Sequence, residues 1–272
     1  MTLIEKLIED AKKTPKRVAL PECEADNTLA AARKILDEGI GTPVLVSPRA
    51  VIEETAARVG VSLDGMEIVD NEDEAAADAL AQRFMESGTR LLSAKASRRK
   101  IKNPMYYAMM MEELGDVDCT FCGHINTTGD VLLAAQTIIG LADGVDVPSI
   151  LALVDTPNFH GPEGSVIGFA DCGLNTEPTP NELASIAISA ADGVKSIMGW
   201  EPRVAFLSFS TDGSGSSASV ENTKAAIQIM HERRPDIPAD GEFQLDTAID
   251  PKVAAKKVKR PSDVAGKANV LV

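Results

Sequence analysis

Short apolar runs alternate with amphipathic segments along the first half of the chain, and no other feature of the sequence restricts the fold as strongly. Three of these runs have the length of buried strands, namely 17–20, 43–46 and 66–69. Each is followed by a helical pattern, at 28–38, 52–59 and 72–86. Because a strand, a covering helix and a further strand make up the βαβ unit, the alternation predicts a mostly parallel sheet covered by helices.

The second half repeats this organisation after a boundary that we expect near 142–148. Its strand candidates are 149–154, 166–170, 204–209 and 268–272. Thr179, Pro180 and Glu182 supply an N-cap, a first-turn proline and a capping acid for a helix that ends near residue 198. Since 272 residues can bury two cores, we expect two α/β domains, 1–144 and 145–272.

The chain ends inside the apolar run 268–272, with no turn, cap or polar tail. A complete domain rarely ends in this way. Two explanations stay open at this point. Either the strand is the last element at a sheet edge, or the polypeptide is a fragment.

The segment 203–215, RVAFLSFSTDGSG, changes from an apolar strand into a loop of Ser, Thr and Gly ahead of a helix. We call residues 208–215 the Ser/Gly loop. N–H groups at the start of a helix can bind an anion, and glycine lets the backbone approach a ligand closely. The hydroxyl donors of this loop are Ser210, Thr211 and Ser214. A capped turn without a ligand fits the pattern equally well.

A second junction of this kind follows the predicted strand 117–125. We call residues 126–130, NTTGD, the Thr/Gly loop. A role without a ligand is available here too, because Thr128 can cap the next helix and Asp130 is favourable in its first turn. If both junctions faced one cleft, anion binding would become the better interpretation.

Cys119, Cys122 and His124 invite a metal or redox interpretation. A zinc site needs four ligands, and the other Cys and His residues show no paired ligand spacing. The predicted strand also places Cys119 and Cys122 on opposite faces. We therefore expect buried structural thiols and no metal site.

The formal net charge of −14 argues against a general nucleic-acid or anionic-membrane binder. No apolar run has the length of a membrane span, and the N-terminus lacks a signal-peptide core. We therefore expect a cytoplasmic protein whose cysteines are thiols. The densest basic stretch, 95–102, is predicted to be a solvated loop rather than an anion site.

Six longer motifs occur in the order 18–28 (VALPECEADNT), 123–130 (GHINTTGD), 169–188 (FADCGLNTEPTPNELASIAI), 202–217 (PRVAFLSFSTDGSGSS), 234–249 (RPDIPADGEFQLDTAI) and 264–272 (VAGKANVLV). In this order and over nearly the whole chain, they resemble the phosphate acetyltransferase family and, more broadly, the phosphate acetyl/butyryl transferases. Each motif alone is weak, whereas the set is highly specific.

The resemblance implies two α/β/α domains of the isocitrate/isopropylmalate dehydrogenase-like fold, a cleft between them, and a homodimer formed through the second domain. It implies the reaction acetyl-CoA + phosphate ⇌ acetyl phosphate + CoA, with no metal or prosthetic group. The partners would then be small molecules, namely coenzyme A, acyl phosphate and phosphate. In this family the coenzyme A thiol attacks the acyl phosphate carbonyl, an Asp serves as base, and Arg and Ser groups stabilise the charges.

The sequence departs from the family pattern in four places. The family continues past the equivalent of Val272 into a segment that completes the first domain and carries the proposed catalytic Asp, so we expect this part of the first domain to be absent. A substrate-site Arg is replaced by Leu133. The opening motif, 21–28, lacks the family's Gly and Arg. Asp212 places a negative charge in the Ser/Gly loop, where it would oppose a phosphate unless neutralised.

The residues that the resemblance assigns to substrate binding are Thr127, Thr128, Ser210, Thr211, Gly213 and Ser214. Lys95, Arg98 or Arg99 could supply positive charge. No catalytic base is assigned; Asp130 and Asp212 are the nearest candidates, and capping is favoured for Asp130. The alternative function is a non-catalytic regulatory module that binds acetyl-CoA or an acyl phosphate. A dehydrogenase of the related fold is a weaker option, because no G-x-G-x-x-G follows an N-terminal strand.

Overall fold

The computed structural model describes residues 2–88 and 92–272. The chain divides into two compact units, Met1–Gly140 and Leu141–Val272, and each has its own sheet. The predicted boundary, between residues 144 and 145, lies in the irregular segment 141–151 at the start of the second unit.

The first unit alternates strands and helices around a four-stranded sheet of order β3-β2-β1-β4, in which every pair is parallel. Its strands are β1 (Lys16–Leu20), β2 (Gly41–Val46), β3 (Glu67–Val69) and β4 (Cys119–Thr120). Its helices are α1 (Leu3–Lys13), α2 (Asp26–Asp37), α3 (Arg49–Val59), α4 (Glu74–Glu86), α5 (Ala94–Lys100), α6 (Pro104–Glu113) and α7 (Thr128–Ile138).

Helix α6 forms the centre of one core of this unit. All seven residues from Met105 to Met111 are buried, and Met110 is fully inaccessible to solvent. Asn103 caps the helix by accepting N–H bonds from Met105 and Tyr106. The methionine-rich segment is therefore core, since flexible thioethers fill the space between the sheet and the neighbouring helices.

Two predictions for the first unit were wrong. The basic stretch 95–102 is not a loop but contains helix α5, because Ser93 caps it and the buried side chains of Ser97 and Ile101 anchor it. The strand predicted over 117–125 is only the two-residue β4. It ends early because the N–H groups of 123–126 bind a side chain instead of continuing the ladder.

The second unit has a five-stranded sheet of order β5-β6-β9-β7-β8, parallel except for the edge pair β5–β6. Its strands are β5 (Ala152–Asp155), β6 (Val166–Phe169), β7 (Val204–Leu207), β8 (Ala239–Phe243) and β9 (Val270–Leu271). Its helices are α8 (Pro180–Met198), α9 (Ala218–Arg233), α10 (Leu245–Ile249) and α11 (Pro251–Lys257). The prediction of α/β units with mostly parallel sheets is confirmed.

Helix α8 begins as the sequence predicts. Thr179 and Glu182 form a reciprocal capping box, with Pro180 in the first turn. The helix buries an alanine-rich face that includes Ala184, Ala187 and Ala191. Helix α10 was missed, because its five residues are too short for a helical pattern to emerge.

Strand β9 lies between β6 and β7 at the centre of the sheet, so it is not the edge strand that one of the two explanations proposed. Val270 and Leu271 are both buried, which fits a strand covered on two faces. The Asn269 carboxamide oxygen accepts the Arg203 N–H at 2.7 Å and fixes the entry of this strand beside β7. No helix in the described part of the chain is long and apolar enough to cross a membrane.

Candidate functional site

The Ser/Gly loop follows β7 at the carboxyl end of the second sheet and is organised by Glu242 of β8. The Ser210 hydroxyl donates to Glu242 Oε1 at 2.7 Å, and the Gly213 N–H donates to the same oxygen at 2.9 Å. Ser210 Oγ in turn accepts the Gly215 N–H at 2.9 Å. Ser210 and Glu242 are each only 1% exposed. The anion held inside this loop is therefore the chain's own carboxylate.

Further bonds fasten the loop to the end of β8. The Thr211 hydroxyl accepts the Gln244 N–H at 2.9 Å, and the Asp212 N–H donates to the Glu242 carbonyl at 3.0 Å. Ser214 Oγ accepts the Thr211 N–H at 2.9 Å. Ser214 is exposed, and its O–H hydrogen remains available to a ligand.

Asp212 has a left-handed backbone, with φ of 51°. Its carboxylate accepts a bond from Arg260 Nε at 2.7 Å. Arg260 also binds both oxygens of Asp240, at 2.9 and 2.7 Å. The negative charge of Asp212 in the Ser/Gly loop is thus paired with the Arg260 guanidinium.

The segment before the Thr/Gly loop surrounds Glu22, which follows β1 and is 3% exposed. Its Oε2 accepts the N–H groups of Gly123 and His124 at 3.0 and 2.7 Å. Its Oε1 accepts the N–H of Ile125 at 3.1 Å, and the N–H and Nδ2 of Asn126 at 2.8 and 2.7 Å. Five donors therefore bind one carboxylate, so the anion bound by residues 123–126 of the first unit is the chain's own Glu22.

The Thr/Gly loop itself begins α7. The Thr127 hydroxyl donates to Asp130 Oδ2 at 2.6 Å and accepts the Asp130 N–H at 3.2 Å. Asp130 thus acts in the cap, which is the role favoured from the sequence. The N-cap residue of α7 is Thr127, so the prediction that Thr128 caps this helix was wrong. Thr128 is exposed, and within residues 2–88 and 92–272 its hydroxyl and the N–H groups of Thr128 and Gly129 have no hydrogen-bond partner.

Asp171, which follows β6, repeats the arrangement found at Glu22. Oδ1 accepts N–H groups of Ile150 and Gly173, and Oδ2 accepts those of Leu174 and Asn175 together with Asn175 Nδ2. The distances range from 2.7 to 3.3 Å. Asp171 and Asn175 are therefore loop-orienting residues.

These three carboxylates are stabilised in their charged form. Burial alone raises the pKa of Glu22, but the N–H donors of Asn126, His124 and Gly123 lower it by more. The pKa of Asp171 and that of Glu242 are lowered in the same way, against the effect of burial. All three groups are thus carboxylates at neutral pH.

Within the described part of the chain, the basic residues of α5 make no hydrogen bond to these loops. Arg98 Nε is 3.8 Å from Asp78 on α4, and both residues line an open cavity of about 640 Å³. Among the described residues, no ion pair or hydrogen bond joins Lys95, Arg98 or Arg99 to the Thr/Gly loop. Their role in supplying positive charge to a substrate stays a prediction.

The cysteines behave as partly or fully buried thiols in the first unit. Burial raises the pKa of Cys122 to about 11 and that of Cys23 to about 12. Cys172, in the second unit, is exposed. Over the part of the chain that the structure describes, no group of three or more His, Cys, Asp or Glu side chains is arranged to hold a metal ion.

Sequence reasoning missed the two glutamates that shape the candidate loops. A signal was present, because only Pro21 separates Glu22 from the apolar run 17–20, and Glu242 stands beside Phe243. A charged side chain in such a position must be exposed or satisfied by donors. The sequence did not indicate which N–H groups would supply them.

The family model described as phosphate acetyl/butaryl transferase matches residues 2–272. A phosphate acetyltransferase of Clostridium acetobutylicum is 40% identical over 273 aligned residues, which cover 100% of this chain and 82% of that protein. One of Thermoanaerobacterium thermosaccharolyticum is 38% identical, with the same coverage.

A solved structure gives the same result. The EutD phosphotransacetylase from Staphylococcus aureus superposes with a TM-score of 0.88 at 27% sequence identity. The match covers 100% of this chain and 82% of that one. The similarity therefore extends over both units.

Proposed function

The chain belongs to the phosphate acetyl/butaryl transferase family, and from this membership we propose how its loops serve the transfer of an acetyl group between coenzyme A and phosphate. The reaction is acetyl-CoA + phosphate ⇌ acetyl phosphate + CoA. The observation that carries the assignment is the match over residues 2–272, which includes both candidate loops.

In the first unit, the phosphate group binds at the start of α7. The N–H groups of Thr128 and Gly129 and the Thr128 hydroxyl supply donors that no other described group uses. The positive end of the helix dipole favours an anion at this place. Thr127 contributes indirectly, because its hydroxyl is held by Asp130.

In the second unit, Ser214 supplies the exposed hydroxyl of the Ser/Gly loop. Ser210, Thr211 and the Gly213 N–H form the internal frame of that loop, since their polar groups are bonded to β8, to Gln244 or to other loop residues. We propose that Ser214 binds the acyl or phosphate group. Ser210, Thr211 and Gly213 support the loop that carries Ser214.

The transfer forms one bond and breaks one. The coenzyme A sulfur attacks the carbonyl carbon of acetyl phosphate, the C–S bond forms, and the C–O bond to phosphate breaks. Negative charge moves from sulfur through the carbonyl oxygen to the departing phosphate, so fixed N–H and O–H donors stabilise the transition state. The thiol proton leaves before or during attack, because the thiolate is the nucleophile, and the departing phosphate takes up one proton to be released as hydrogen phosphate.

Further features of the proposal extend the resemblance. Acetyl is the acyl group, the protein acts as a homodimer in the cytoplasm, and no metal or prosthetic group takes part. The molar mass measured by light scattering, as the protein elutes from a size-exclusion column, tests whether it is a dimer. Activity that persists after dialysis against EDTA checks the independence from metal.

The direct test is arsenate-dependent hydrolysis of acetyl-CoA, because an acetyl arsenate product decomposes in water. The purified chain is expected to consume the thioester only when arsenate is present. Thr128→Val removes the proposed hydroxyl and is expected to raise the KM for phosphate about tenfold. Thr137→Val on the same helix removes a hydroxyl that donates to the Leu133 carbonyl and should leave that KM unchanged. Equal effects in the two variants would contradict the site.

A further inference from the structure

Glu22 is a buried charged residue that has no role in the proposed transfer step. It is 3% exposed, and its five donors all come from the short segment Gly123–Asn126 between β4 and α7. A buried carboxylate is costly unless it is fully hydrogen-bonded, and here every bond comes from one stretch of backbone and its Asn side chain. The carboxylate and this segment therefore form one rigid unit.

The segment leads directly to the start of α7. Asn126 gives both its N–H and its Nδ2 to Glu22 Oε1, and the next residue, Thr127, is the helix N-cap. Thr128 follows as the first helical residue. The position of the free donors at Thr128 is thus set by residues that are anchored to Glu22.

We propose that Glu22 is a positioning residue for phosphate binding, which acts by fixing the segment Gly123–Asn126 and through it the donors at the start of α7. The inference rests on the proposed function, because it uses Thr128 and Gly129 as phosphate ligands. Glu22 itself touches no substrate. Its negatively charged carboxylate accepts hydrogen bonds from the five N–H donors and faces the interior of the loop.

Only a carboxylate can fill this role. Both oxygens of Glu22 accept, two bonds at Oε2 and three at Oε1. Glu22→Gln keeps the size of the side chain but turns one acceptor into an NH₂ group. At least two backbone N–H groups then face a donor, and the segment must shift to relieve the conflict.

Asp171 provides a matched control within the same chain. It also accepts five N–H bonds, two at one oxygen and three at the other, and the last three likewise include both nitrogens of an Asn. The loop it holds contains no residue assigned to a substrate. Asp171→Asn should therefore cost about as much stability as Glu22→Gln without moving the phosphate-binding groups.

The experiment measures KM values for phosphate and for acetyl-CoA, together with urea unfolding, in the full-length variants. Glu22→Gln is expected to raise the KM for phosphate about tenfold or more, because small misplacements of binding groups have effects of this size or larger. The KM for acetyl-CoA in Glu22→Gln should change less than twofold. The KM for phosphate in Asp171→Asn should also change less than twofold. The double variant Glu22→Gln/Thr128→Val should bind phosphate no more weakly than the worse single variant, because both changes disable the same donor.

A wild-type chain without acetyl transfer would defeat the proposed function, whereas an active wild type allows the inference to fail on its own. Equal rises in KM for phosphate in Glu22→Gln and Asp171→Asn would overturn it, as would multiplying effects in the double variant. If Glu22→Gln does not fold, Asn126→Ala and Asn175→Ala form a second pair, each removing the Asn side-chain bond to the carboxylate, and Asn175→Ala also removes a bond to the Pro148 carbonyl. A rise in KM for phosphate confined to Asn126→Ala supports the inference, and equal behaviour of the pair overturns it.

Discussion

Replacement of Ser210 by Ala separates a structural role from a substrate-binding role in the Ser/Gly loop. The hydroxyl donates to the buried Glu242 carboxylate at 2.7 Å and accepts the Gly215 N–H at 2.9 Å. Loss of a bond to a charged acceptor costs about 1.5–3 kcal/mol, and an unmet N–H adds about 1 kcal/mol. Because Glu242 keeps its bond from Gly213, we expect Ser210→Ala to lower the free energy of unfolding by about 3 kcal/mol.

The assay is urea unfolding followed by circular dichroism and by Trp200 fluorescence. Ser216→Ala serves as the matched control, because Ser216 is exposed and its hydroxyl has no partner among the described residues. We expect a change below about 0.5 kcal/mol for this variant. A stable Ser210→Ala protein whose only defect is a raised KM for phosphate would refute the structural role, because it would show that the hydroxyl faces the substrate.

Gly266→Ala places a Cβ 2.6 Å from Pro251 Cα at φ of +73°, so it should destabilise by about 3 kcal/mol in urea unfolding, whereas Gly199→Ala, at φ of +70° with open space, should cost about 1 kcal/mol. Maleimide should label the exposed Cys172 in the native protein and reach the buried Cys23 only after unfolding, as peptide mass spectrometry would show; early labelling of Cys23 would contradict its burial. The lowered pKa values of Glu22, Asp171 and Glu242 provide stability that is present above their ordinary values near 4 and lost as pH falls through the lowered ones, so acid titration of Glu22→Gln should show a shallower loss than that of the wild type.

The strands and long helices could be predicted because their patterns are local. Helix α8 is set by Thr179, Pro180 and Glu182, and its start agrees with the sequence prediction. The central position of β9 could not be predicted, because strand order depends on pairings between distant segments rather than on the apolar run itself. The loop expected over 95–102 is helix α5, since burial of Ser97 and Ile101 outweighs the high charge around them.

The positions of the candidate loops could be predicted from the sequence, but the hydrogen bonds inside the loops could not. A Ser, Thr and Gly composition indicates donors, yet it does not distinguish a ligand's anion from a carboxylate of the chain. Glu22 lies about a hundred residues from the N–H groups it binds, and Glu242 about thirty from Ser210. Such pairings arise from tertiary structure. They change the interpretation of Ser210 from substrate donor to loop support.

Phosphorus NMR of acetyl phosphate mixed with coenzyme A and the purified chain tests whether the protein transfers an acetyl group from phosphate to coenzyme A. We expect the acetyl phosphate signal to be lost, inorganic phosphate to appear in equal amount, and one thioester to form for each phosphate released. Each change should require coenzyme A. Binding of coenzyme A without loss of acetyl phosphate, or release of phosphate without thioester, would contradict an acyltransferase.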